Sequence, residues 1–180
     1  MMNFARKAIC RLATETRGAE IAEAAAVLPL MFMMLLGIFW FGQAFSIYGA
    51  ITRAAQEGAR AGSLPYCVTC NGSNTPTQNA LNAVQATLLA SNLDPNQAIA
   101  PSPAPTLYSC SDSTSAIACS GNSHFCVQSP ILITDSLGAT GLCGLSVSFQ
   151  YPYRFWLPFA SINNQTIMIS ASARVRMENR

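Results

Sequence analysis

From Ala24 to Tyr48 the chain carries no charged side chain, and Val27 to Phe41 (VLPLMFMMLLGIFWF) is almost wholly apolar. No other feature limits the fold as tightly. A bilayer core about 30 Å thick takes roughly 20 apolar residues in a helix, and this run supplies them. The competing reading is a cleaved secretory signal, whose apolar core is usually about 7–15 residues long. This run is longer, and Gly42-Gln43-Ala44 only loosely resembles a small-x-small cleavage site. A retained membrane helix, about 24–48, is therefore expected. Arg6, Lys7, Arg11 and Arg17 precede it against Glu15, while the other flank is nearly neutral. The positive-inside tendency then puts the N-terminus in the cytoplasm and the C-terminal part outside, with Trp40 and Tyr48 suited to the far interface.

The helix is expected to outrun the membrane. Ile47, Ala50, Ile51, Ala54, Ala55, Gly58 and Ala61 continue a small-or-apolar stripe at helical spacing. Arg53 with Glu57, and Gln56 with Arg60, stand four apart on other faces and are placed to pair. Gly62, Ser63 and Pro65 supply the stop. A helix from Ala24 to Gly62 is on the order of 55–60 Å long, almost twice what spanning requires. The surplus projects into the outer compartment, where its small-residue face needs something to pack on.

Composition narrows the function classes. Charged residues make up 10% and hydrophobic ones 51% of the 180 residues, against about 25% charged in a typical soluble chain. That disfavours a wholly cytosolic globule. No Lys or Arg occurs between Arg60 and Arg154, so the middle of the chain has no electrostatic footprint for nucleic acid. Beyond the helix stand Cys67, Cys70, Cys110, Cys119, Cys126 and Cys143, with Cys10 alone on the cytoplasmic side. An even set outside and a single thiol inside fit disulfides in an oxidising compartment, although the pairing stays open. Two sharper readings compete. Cys67-Val-Thr-Cys70 is a CxxC, but no βαβ pattern surrounds it. A zinc set of Cys67, Cys70, His124 and Cys126 has the right residue types and no common zinc-module spacing. His124, the single histidine, reads as an ordinary surface or strand residue. Asp94, Asp112 and Asp135 are scattered in turns, with Glu178 at the end. No catalytic set, metal or cofactor is expected.

The head reads as α+β. Thr77 to Leu93 carries Ala80, Leu81, Val84, Leu88 and Leu89 at helical spacing and stops before Asp94-Pro95. A Pro-rich connector (100–106) and a Ser- and Cys-rich loop (109–123) follow. Phe125, Val127 and Ile131 to Thr134 form a β-prone run that Pro130 interrupts, which predicts an edge or a bulge. Cys143 to Tyr153 and Ile167 to Met177 alternate apolar and polar residues with a period of two, with Asn163-Asn164 as a turn between them. The expected architecture is a long N-terminal transmembrane helix packed on a disulfide-stapled domain with a short helix and a small antiparallel sheet. The outer half of the long helix, with its Ala/Gly stripe, is the natural cover for the sheet.

The segment just before the apolar run is the most specific. Gly18-Ala19-Glu20-Ile21-Ala22-Glu23 stands between the basic leader and the greasy helix. A glycine followed five residues later by glutamate and then a long apolar helix resembles the processing site of type IV prepilins. Glu23-Ala-Ala-Ala-Val-Leu-Pro29, Gly37-Ile-Phe-Trp-Phe-Gly42 and Ala54-Ala-Gln-Glu-Gly-Ala-Arg60 are similar to the TadE-like minor pseudopilins of tight-adherence (Flp) pilus systems. The resemblance is strong over Gly18 to Ala61, loose at Ile167 to Glu178, and absent in the cysteine-rich middle.

The resemblance implies a leader (1–18), a long helix (19–62) and an extracytoplasmic head (63–180). It implies cutting between Gly18 and Ala19 by an inner-membrane prepilin peptidase, and pairing of Glu23 with the new amine of Ala19 on its own or a neighbouring subunit. The implied partners are other pilins and pseudopilins, the inner-membrane assembly platform and the bilayer. The implied place is the bacterial inner membrane, with the head in the periplasm and later in the pilus. Physical chemistry gives several positions a role. Gly18 leaves no side chain to obstruct a protease. Glu23 stands where the apolar run begins, since a carboxylate deeper in lipid costs a few kcal/mol. Pro29 removes a backbone hydrogen bond inside the helix, which predicts a kink or local melting there. Gly37, Gly42, Gly49 and Gly58 are suited to close helix approach. The alternative is a membrane-anchored adhesion or binding module whose leader is never cut.

Overall fold

Helix α1 runs from Thr16 to Ser63 and ends where Gly62, Ser63 and Pro65 predict. The computed structural model describes residues 16–64, 75–133, 142–154 and 166–177. Contacts divide the chain into two units, Met1–Gln43 and Ala44–Arg180. In the first, α1 is exposed from Glu20 to Leu35 and mostly so beyond, with Leu36, Gly37 and Trp40 half-buried.

The second unit is α+β. Helix α2 covers Pro76–Ala90. It opens on Thr75, whose Oγ1 accepts from Gln78 N at 3.3 Å, with Pro76 in the first turn, where a missing N–H costs nothing. It closes three residues before the expected Leu93. Asn92 takes the left-handed conformation (φ 56°), and its N–H donates to Leu89 O while Leu93 N donates to Leu88 O at 2.9 Å. That is a Schellman closure with asparagine where glycine is commonest. It leaves Leu93 outside the helix but packed on the core. A single 3₁₀ turn, Pro95–Gln97, follows.

Four antiparallel strands form one sheet in sequence order: β1 Ser120–Gly121, β2 Cys126–Ile133, β3 Leu142–Arg154 and β4 Thr166–Arg176. The last two match the runs of strict alternation, and pair from Gly144↔Arg176 to Arg154↔Thr166. Pro130 does mark an irregularity: the β2–β3 register shifts between Gln128 and Ile131. The strand is nevertheless internal rather than an edge. The predicted turn Asn163-Asn164 and the pair Cys67 and Cys70 lie outside the described residues.

One face of the sheet packs on the helices. Ile51, Ala54, Ala55 and Ala59 of α1 join Ala80, Val84 and Leu88 of α2 and Val127, Leu145, Val147 and Phe149 of the sheet in one buried cluster. Phe125, just before β2, meets Phe149 edge-to-face at a ring separation of 5.3 Å. The stripe beyond the membrane segment thus has its packing partner within this unit.

The opposite face departs from simple alternation. Paired residues share a face in an antiparallel ladder, so Gln128 and its partner Ser146 lie together, as do Cys126 and Ser148. All four are buried. The Pro-rich and Cys-rich segments cover them: Gln128 Nε2 donates to Pro105 O at 2.9 Å and to Ile117 O at 2.6 Å. Leu132 N donates to Tyr108 O and Cys110 N to Pro130 O. Disulfides Cys110–Cys143 and Cys119–Cys126 fasten the same segment to the sheet. At its exposed tip the hydroxyls of Ser115 and then Thr114 donate to Asp112, holding its carboxyl down at about 2, below the usual 3.8.

Candidate functional site

The positions that the resemblance marks for processing fall at the start of α1. Gly18 is the third residue of the helix, inside the first turn, whose N–H groups have no partner within a helix. The bond that follows Gly18 is thus held by less of the hydrogen-bond ladder than any in the helix interior. Gly18, Glu20 and Glu23 are all exposed.

Beyond Glu23 the exposed surface becomes apolar on every side. Met31, Phe32, Met33, Met34 and Leu35 are consecutive, and each is exposed by more than half. Five residues in a row sweep the whole circumference of a helix at 3.6 per turn. A helix covering a globular core shows one apolar stripe; this one is an apolar sleeve, continued by Ile38, Phe39, Phe41 and Phe45. Among the described residues it is the helix long and apolar enough to cross a membrane. α1 continues unbroken through Pro29, which offers no N–H to the Ala25 carbonyl.

The glycines separate by environment. A Cβ built on Gly37, Gly42 or Gly49 meets nothing within 4 Å, so any close approach there involves another molecule. Gly58 differs: a Cβ would run into Val84 Cγ2 and stand 3.2 Å from Ala80 O. Gly62 belongs with it, its Cβ position lying 2.8 Å from Leu145 Cδ1 and 3.0 Å from Pro76 O. The sequence reading treats Gly62 only as a stop; its spacing of four from Gly58 was the available signal of a second close contact.

The remaining singled-out residues are in structural roles. Cys110, Cys119, Cys126 and Cys143 are disulfide-bonded. The zinc alternative therefore loses Cys126. His124 sits in the turn between β1 and β2, its Nδ1 2.7 Å from Ala98 O. Among the described residues no cluster of three or more His, Cys, Asp or Glu converges.

The family model of TadE-like protein matches residues 18–60. The N-terminal segment is TadE-like. The match opens on Gly18 and closes on Arg60, so it takes in Glu23, the sleeve, and the buried stripe as far as Ala59. No curated protein and no solved structure matches the chain. The disulfide-bonded head stands outside the TadE-like segment.

Proposed function

We propose that this chain is a minor pseudopilin of a tight-adherence (Flp, type IV-related) pilus, processed after Gly18 by a prepilin peptidase. The observation that carries the reading is the sleeve: a helix exposed and apolar on all sides, entered directly from Gly18 and Glu23, within a TadE-like segment. Such a surface is stable only in lipid or against other apolar helices. The chain uses both in turn, first as a single-pass inner-membrane protein with its head in the periplasm, then packed among sibling helices. It works by assembly rather than catalysis, priming, capping or forming the tip of the pilus. Its partners are the peptidase, sibling pilins and pseudopilins, and the inner-membrane assembly platform.

Contacts with siblings run through the sleeve and through β4, which among the described residues pairs only with β3. β4 carries Arg174 and Arg176, and charged side chains on an edge discourage indiscriminate strand addition.

Glu23 supplies the functional test. Its carboxylate stands at the mouth of the sleeve, where pairing with a neighbour's Ala19 amine offsets the cost of entering an apolar bundle. Glu23→Ala is expected to leave cleavage intact and to reduce piliation by about tenfold or more, counted by electron microscopy. Normal piliation in that variant would overturn the pairing role. Under the alternative, an uncut membrane-anchored binding module, neither cleavage nor piliation depends on this segment.

A further inference from the structure

Between Arg60 and Arg174 only two residues are able to carry positive charge, His124 and Arg154. They are far apart in sequence, and both line one groove of about 780 Å³ on the head, together with Asn96, Gln97, Ser123 and Pro152. The volume lies within the roughly 300–1,000 Å³ of small-ligand sites. Among the described residues no acid lines the groove. Asp94, two residues from its rim, is turned to the chain itself, its carboxylate accepting from Asn96 N at 3.0 Å.

The chemistry of the walls selects a ligand class. Main-chain groups along one wall are already paired: Ile99 and Gln150 exchange both backbone bonds at 2.8 Å, Ala98 N donates to Pro95 O, and Ala100 N donates to Ser123 O. A peptide recognised by strand addition needs an unpaired main-chain edge, and this wall does not offer one. Recognition falls to side chains. Asn96 and Gln97 are exposed amides that donate and accept, as does the Ser123 hydroxyl. His124 Nδ1 must carry its proton, since the Ala98 carbonyl facing it only accepts. That leaves Nε2, the other ring nitrogen, to bond a ligand hydroxyl. Arg154 is exposed and presents a planar fork suited to a carboxylate. The half-buried Pro152 ring gives an apolar surface beside them.

We propose that this groove binds a carboxylate-bearing saccharide, with the acid group on Arg154 and ring hydroxyls shared among Asn96, Gln97, Ser123 and His124. Each hydroxyl both donates and accepts, which matches the mixed amide and hydroxyl lining. A simple anion would have no use for it.

The test uses the full chain in nanodiscs of phosphatidylcholine, which avoids sugar-based detergents, with binding followed by calorimetry. Trigalacturonate is expected to bind, and neutral galactotriose about tenfold or more weakly. Arg154→Gln is expected to remove that difference, weakening trigalacturonate by about tenfold and leaving galactotriose unchanged. Equal affinity for the two sugars, no binding at millimolar trigalacturonate, or preference for trialanine with its free carboxylate would overturn the proposal. Should Arg154→Gln fail to fold, the unmodified protein still decides the matter. The His124 ring resonances must shift as trigalacturonate saturates, and fixed resonances would overturn the assignment.

Discussion

Phe125→Ala is expected to lower the unfolding free energy of the head by about 3–5 kcal/mol, the usual cost of deleting a fully buried aromatic ring. Phe125 has no exposed surface and stacks edge-to-face on Phe149 at 5.3 Å, with 81° between the rings. Such a pair adds about 0.5–1.5 kcal/mol beyond area burial. The position also anchors the turn that leads into β2: Phe125 N donates to Asn122 Oδ1 at 2.9 Å. The cavity therefore opens where the sheet, α1 and α2 share one core. The melting temperature should fall by about 10–20 °C, followed by near-ultraviolet circular dichroism with the disulfides intact. A loss under about 1 kcal/mol would mean that Phe125 is not a central core residue.

Gly58→Leu should be nearly as damaging, for the opposite reason. Here the fault is excess volume. Even a Cβ at this position collides with Val84 Cγ2 and crowds Ala80 O, and a backbone oxygen within α2 cannot move without moving the helix. Overpacking usually costs about 1–3 kcal/mol, and here, where backbone must shift, about 3–4 kcal/mol. Leucine's better helix propensity returns only about 1 kcal/mol. Urea unfolding should show a net loss of about 2–3 kcal/mol. Gly49→Ala is the control: with nothing within 4 Å of its Cβ position, it should gain about 0.5–1 kcal/mol from propensity alone. Loss at Gly49 and none at Gly58 would mean that α1 and α2 do not pack as described.

Local pattern made much of this legible. The apolar run and its small-residue continuation marked α1, because a helix keeps one residue type on one face at a fixed spacing. Strict alternation marked β3 and β4, because the side-chain period of a strand is two. Pro130 marked the bulge in β2, since it cannot donate to the ladder. The apolar pattern reaches Leu93, three residues past the end of α2, and only the left-handed turn at Asn92 separates that residue from the helix.

Long-range juxtaposition was not legible. Gln128, Ser146 and Ser148 are polar, yet they are buried because the 100–119 segment folds across them. Nothing in their own neighbourhood signals that cover. The cysteine pairing was open for the same reason: Cys110 and Cys143 are 33 apart, and only the folded sheet brings them together. His124 read as an unremarkable surface or strand residue. It lies in a turn, tied to Ala98, and its sharing of one groove with Arg154 depends on strand order that no local pattern encodes. In the N-terminal segment, by contrast, Gly18, Glu23 and the sleeve are neighbours along a single helix, so the candidate site there needs no tertiary fold to assemble it.

The reading turns on whether the exposed helix stays with the protein after its basic leader is removed. Intact-mass spectrometry of the native chain, from cells with and without the prepilin peptidase, addresses this directly. The account predicts a chain beginning at Ala19 when the peptidase is present and an uncut one when it is absent. A chain still carrying residues 1–18 in both, or one beginning after Ala44 with the sleeve gone, would contradict it.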